Sequence, residues 1–219
     1  MWKAIFFPTK NNAVLWANAL FLLLLLLLKL ADPLTVVFAY FLETIIIGII
    51  HLVKLGLVSG YGQKSSNAQS LFSGIPLMLF FLLHYGLFVA IQSIFAFTLF
   101  QGSVSGLKDG FHLIYNYSFI LGSTGMPIIL TSIFVNNLSY FYTNFLRNGK
   151  YKEYAPGDIM MKPYVRIFIQ QFVVILAFFF FIIFNSGVVA AVLLILFRLV
   201  VDLVLFSIRK DGKMLHILS

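Results

Sequence analysis

The chain has 219 residues, 61% of them hydrophobic and 10% charged, with a formal net charge of +8 and no cysteine. Soluble domains are roughly 45–50% apolar and about 25% charged, so this composition, with a mean hydropathy of +1.01, excludes an ordinary water-soluble protein. The missing cysteine removes disulfides and thiolate metal sites, and the cations cluster between apolar runs instead of on one solvated face, which argues against nucleic acid.

A helix that crosses ~30 Å of hydrocarbon needs roughly 20 apolar residues. The first predicted span is 13–30, containing the run Leu22–Leu28. Lys3 and Lys10 precede it as in a signal peptide, but no small-x-small cleavage pattern follows Leu30, so the segment reads as a retained span. Trp2, Phe6 and Phe7 before it suit an interfacial anchor. The second span is 33–55, with Pro33 where a helix start tolerates proline best.

Gly60 to Ser70 is a Gly/Ser-rich loop. The third span, 72–100, is longer than needed and so tilts or projects. A loop at Gln101–Gly110 leads to the fourth span, 111–135. Gly122-Ser123-Thr124-Gly125-Met126-Pro127 interrupts it, and a kink or break is expected there.

Asn136 to Phe145 reads as an interfacial extension of that helix, with Tyr140, Phe141, Tyr142 and Phe145 as an aromatic belt. Arg147 to Lys162 is the hydrophilic loop, a topology signal that also suits anionic headgroups. The fifth span is 164–184, Asn185-Ser186-Gly187 a tight turn, and the sixth span 188–208. The expected architecture is an all-α, single-domain polytopic transmembrane helical bundle of about six spans.

Loop charges orient it. With both termini in the cytoplasm, the inner segments hold Lys3, Lys10, Lys54, Lys64, Arg147, Lys150, Lys152, Lys162, Arg209, Lys210 and Lys213, against Lys29 and Lys108 outside. This follows the positive-inside rule, and an odd number of spans would break the alternation. The two halves share no repeat, which gives no support to an inverted-repeat transporter.

Ionisable residues within a span cost roughly 2.5–3.5 kcal/mol on insertion scales and usually face the bundle interior. Glu43, His84 and Arg198 fall near the middle of their own spans. Asp202 and Gln170 lie ~6 Å toward the cytoplasm at ~1.5 Å per residue, with Arg166 nearer still to that interface. Arg198 and Asp202, four apart, share a helix face; Glu43 is expected to meet Arg198 or His84, and Arg166 to reach Asp202. Two readings compete: a polar cluster that only fixes packing, and a site for a ligand, ion or proton.

No metal or other cofactor is expected. His51, His84 and His112 lie at different depths, and Glu43 with His84 falls short of the usual three or four ligands. Gly122-Ser123-Thr124-Gly125 is similar to the Gly-x-Ser-Gly of intramembrane serine proteases. However, Thr124 stands where the nucleophile belongs, and no later span supplies a histidine base. The bland reading is a break where small residues let helices approach.

Several stretches, in order, resemble a family of uncharacterised bacterial multi-pass integral membrane proteins, a domain of unknown function. They are Tyr40-Phe41-Leu42-Glu43 with Gly48, His84-Tyr85-Gly86-x-Phe88, Ser139-Tyr140 with Asn144-Phe145, Pro163-Tyr164-x-Arg166, and Arg198 with Asp202-Leu203. The resemblance spans about residues 33 to 206 and implies a bacterial inner membrane but no activity. The family's pattern is richer in histidine, and this chain has Gln92 and Gln171 where imidazoles would be expected. The resulting expectation is a non-enzymatic membrane protein whose partners are the bilayer and a small solute, ion or proton bound at the central cluster. An enzyme on a lipid-like substrate is the first alternative, although the chain has no Asp-Asp-x-x-Asp motif and seven acidic residues in all. A structural or accessory subunit is the other.

Overall fold

A computed structural model describes residues 7–9, 12–62 and 74–210; the side chains of Arg166, Gln170 and residues 205–210 lie outside the described set. Most of the expected 60–70 loop, Trp2, Phe6 and Lys213 also lie outside it. The described chain is all-helical: α1 (Ala13–Leu27), α2 (Pro33–Tyr61), α3 (Ile75–Phe100), α4 (Leu113–Leu121), α5 (Met126–Phe141), α6 (Pro156–Met160), α7 (Lys162–Phe184) and α8 (Gly187–Lys210). Four segments are long and apolar enough to cross a membrane: α2, α3, α6 with α7, and α8. A fifth is added if α4 and α5 count as one broken span.

α2 is the enclosed helix. Every residue from Thr35 to Thr44 is buried, as expected of a helix that is apolar all round. It packs against α3, α5, α7 and α8. Ring and close-approach pairs set the directions. Phe38 meets Phe100 while Gly48 lies against the Tyr85 ring and Gly56 against Met78, so α2 and α3 are antiparallel. Gly187 lies beside Pro33 and Arg198 beside Glu43, so α2 and α8 are parallel. Gly125 lies beside Ala31 and Asn137 beside Glu43, which makes α5 parallel to both. α7 follows α3, from Tyr164 by His84 to Phe178 by Phe100.

α2 runs past the expected end of the second span at residue 55 and takes up Gly60 and Tyr61 of the expected loop, ending at Gly62, and two other expected spans take a different form. The first is a 15-residue helix, about 22 Å long at ~1.5 Å per residue, shorter than the hydrocarbon is thick. The fourth is divided: α4 and the run from Met126 to Leu146 are bent by 95° at the break. Gly125 has φ +83°, and a Cβ there would collide with the carbonyl of Leu30 and with Ala31. Asp32 N–H donates to the Thr124 carbonyl across the same contact, at 3.3 Å. Only glycine adopts this conformation without strain, and Pro127 then enters the first turn of α5, where its missing N–H is harmless.

Beyond the break α4 turns Ile114 (86% exposed) outward. Its buried Asn116 ties down the preceding loop, accepting from Lys108 N–H at 2.9 Å and donating to the carbonyls of Lys108 and Asp109. At the far end α5 widens into a π turn, Tyr142–Leu146, which stacks Phe145 on Phe141 with the Lys54 ammonium over both rings. The Arg147–Lys162 stretch contains a 3-10 turn at Lys150–Lys152 and α6.

Gly125→Ala is therefore expected to lower the thermal midpoint in detergent, with a loss of about 1–3 kcal/mol for a non-glycine residue held at positive φ. Gly86→Ala, where an added Cβ meets nothing within 4 Å, should leave the midpoint unchanged or raise it. Equal melting of the two variants would show that the break is not held by Gly125.

Candidate functional site

A buried carboxylate must be paired or pass its charge to a proton, and Glu43, 3% exposed in the enclosed part of α2, is paired twice. Its Oε2 accepts a charge-assisted hydrogen bond from Arg198 Nη2. Its Oε1 accepts from Asn137 Nδ2 at 2.9 Å, and the same amide nitrogen donates to the Ile133 carbonyl one turn back. Arg198 is itself buried, at 7% exposure. Its Nε lies 3.5 Å from Asp202 Oδ2, and its Cζ sits 3.9 Å above the ring of Tyr40. A guanidinium over an aromatic face in a dry environment gains a cation–π attraction. Its Nη1 has no hydrogen-bond partner among the described residues.

The parallel course of α2, α5 and α8 explains the meeting. Glu43, Asn137 and Arg198 each lie about three turns into their helices, counted from Pro33, Met126 and Gly187 at the same end of the bundle. Tyr40 is one turn before Glu43 on one helix face, and Asp202 one turn after Arg198 on another. Asp202 is the outermost member, its side chain 28% exposed against 4% for Glu43. The described residues carry two carboxylates and one guanidinium here.

His84 belongs to a different group. Its Nδ1 is 2.7 Å from the Tyr164 hydroxyl, its ring stacks on Phe80, and Phe88 meets it edge-on. His51 is buried nearby against Phe81 at 5.0 Å, and Phe81 in turn stacks on Tyr85. The backbone at Thr44 joins the two groups, because Tyr85 donates its O–H to the Thr44 carbonyl at 2.7 Å. Arg166 and Gln170 lie on α7, with side chains outside the described residues. Among the described residues no three His, Asp or Glu side chains group as metal ligands.

Asn137 and Tyr40 were not among the site residues expected from sequence. Asn137 lies within the stretch read as an interfacial extension, and counting turns from Pro127 instead of from the loop would have put it level with Glu43. Tyr40 is an ordinary apolar-face residue by pattern, and only the arginine across the interface gives it a role.

A helical protein with several apolar helices long enough to span a membrane, and a carboxylate–guanidinium pair buried among them, is the class defined here. The chain belongs to a family of unknown function (DUF6498), whose model matches residues 1–215. No curated protein and no solved structure matches it.

Replacing Arg198 with Leu should destabilise the protein strongly, by about 3–5 kcal/mol, because it leaves Glu43 buried and uncompensated. Adding Glu43→Leu to Arg198→Leu should recover most of that loss. Thermal denaturation in detergent checks it, and a double variant no more stable than the single one would refute the pairing energetics.

Proposed function

We propose that this is a bacterial inner-membrane protein with both termini in the cytoplasm, whose Glu43–Arg198 cluster binds or conducts a small solute, ion or proton. The polarity of the loops supports the orientation. Six membrane-inserted segments agree with the helix directions: α1, α3 and α7 outward, α2, α5 and α8 inward. The run from Met126 to Leu146 is about 31 Å long at ~1.5 Å per residue, enough to cross without α4, and α1 enters part of the bilayer.

The open Nη1 of Arg198 carries the functional reading. Two of the guanidinium's directions are taken by carboxylates, and the third is a buried donor without a partner among the described residues. Leaving such a donor unmet costs about 1–3 kcal/mol or more for a charged group, so an oxygen-bearing solute or water at this nitrogen is favoured. Asp202, the more exposed carboxylate, marks the side from which a proton or cation reaches the cluster. Ionisable groups at such depth are rare, and mark ion and proton pathways.

The second reading is a packing lock, favoured by the fact that both Glu43 oxygens already accept hydrogen bonds within the protein. Proteoliposomes loaded with a pH-sensitive dye separate the two. Under an imposed proton gradient, the wild-type protein is expected to dissipate it faster than empty vesicles, and Glu43→Gln to slow that flux at least tenfold. In parallel, formate, acetate and urea are screened for a rise in thermal midpoint that Glu43→Gln or Arg198→Gln removes. If neither flux nor stabilisation depends on these residues, the cluster is a packing lock. Cysteine labelling from either side of sealed vesicles, with Thr9→Cys and Ser219→Cys, tests the orientation, and labelling from opposite sides would overturn it.

A further inference from the structure

His84 and Tyr164 stand outside the ionic cluster, and a role for them does not depend on what that cluster does. Tyr164 is 5% exposed, and its hydroxyl has one hydrogen-bond partner among the described residues, His84 Nδ1. A buried phenol O–H needs an acceptor, so Tyr164 donates and Nδ1 accepts. The proton of the neutral imidazole then sits on the other nitrogen. Nε2–H is therefore a donor, and it has no hydrogen-bond partner among the described residues.

The ring is held so that this edge alone is presented. Phe80 stacks on the imidazole at 5.2 Å and 16°, Phe88 meets it at 5.1 Å and 73°, and Tyr164 holds Nδ1. His84 is partly exposed. Leu83 (74% exposed) and Leu87, its neighbours on α3, and Phe168 (60%), one turn beyond Tyr164 on α7, are exposed. Phe88 and Tyr164 touch across the two helices. The result is an exposed apolar face along the α3–α7 contact with one fixed N–H donor.

Depth narrows the occupant. α3 has 26 residues, about 39 Å, and with its centre at the bilayer midplane His84 lies about 5 Å from that plane. Phospholipid ester carbonyls lie at the edge of the ~30 Å core, about 15 Å from the midplane, too shallow to reach it. An occupant must carry an acceptor oxygen, bring no donor that needs its own partner, and be apolar enough to dissolve at this depth. It must also be flat enough to lie against an aromatic ring such as that of Phe168, exposed one turn beyond Tyr164. Lipid-soluble quinones have all four properties.

We infer that the α3–α7 face at His84 binds the head of a membrane-dissolved quinone, with His84 Nε2–H donating to one quinone carbonyl and Tyr164 holding the imidazole in the donor tautomer. Tyr164 is a positioning residue. The assignment is of binding alone.

The test uses the full chain in lipid nanodiscs titrated with a decyl-tailed benzoquinone, with empty nanodiscs as reference. Saturable binding above the empty discs is expected, with the infrared carbonyl band of the bound quinone moved to lower frequency. His84→Phe should weaken binding about tenfold, the loss of one neutral hydrogen bond, and abolish the band shift. His84→Gln, which keeps an N–H donor, should retain most of the affinity. Tyr164→Phe should reduce the band shift while leaving the protein folded, and Ile114→Ala, at an exposed position on α4, should change nothing. Circular dichroism and size exclusion establish that each variant is folded. The inference is overturned by wild-type protein that binds no quinone saturably, or by a folded His84→Phe that binds like wild type. It is equally overturned if the His84-dependent infrared shift appears in phospholipid ester bands without quinone. Spontaneous disulfides between copies carrying Leu83→Cys or Leu87→Cys would overturn it too, since a second helix would then cover the histidine.

Discussion

A charge in the middle of the most enclosed helix is the constraint around which the rest is arranged. Glu43 has no route to water along α2, whose residues from Thr35 to Thr44 are all buried. Its carboxylate is tolerable because α8 brings a guanidinium and α5 an amide to its two oxygens. Replacing water with fixed donors is the only way such a group stays ionised in a low-dielectric interior. That requirement explains why α2, α5 and α8 run parallel with their starts level, and why the chain must bend sharply at Gly125 so that α5 begins beside the α1–α2 link.

Much of this was legible in the sequence. Apolar runs located α3, α7 and α8 to within three residues but stopped α2 six residues short of Tyr61, and Pro33, Pro127 and Asn185-Ser186-Gly187 marked starts and turns correctly because proline and left-handed residues act locally. The break between Gly122 and Pro127 was legible for the same reason. Its 95° angle was not, since that depends on Leu30 and Ala31 from another helix. The length of α1 was misjudged because leucine runs do not show where a helix stops.

Within the site, Glu43, Arg198 and Asp202 stood out because charged residues in apolar runs are rare. Their association with Asn137 and Tyr40 is a tertiary fact: an amide and a phenol in a membrane helix look like interface residues until a partner is known. His84 illustrates the opposite case. Equal depth suggested a meeting with Glu43, yet Tyr164 of α7 takes the His84 Nδ1, while Glu43 meets α5 and α8 instead. Depth can be counted from sequence, but azimuth around a helix bundle depends on which neighbours pack where. The two groups still share a connection, because Tyr85, next to His84, is bonded to the carbonyl of Thr44, next to Glu43.

The parallel alignment of α2 and α8 makes their charged residues a gauge of axial sliding. If α8 moved one turn toward its own start, Asp202 would come level with Glu43 and two carboxylates would face each other. One turn the other way would set Leu194 and Ile195, both fully buried, against the carboxylate and leave it stranded. Both displacements are penalised steeply, by repulsion in one direction and desolvation in the other. Any motion of this bundle must therefore pivot about the Glu43–Arg198 contact and cannot be a piston stroke of one helix along its neighbour.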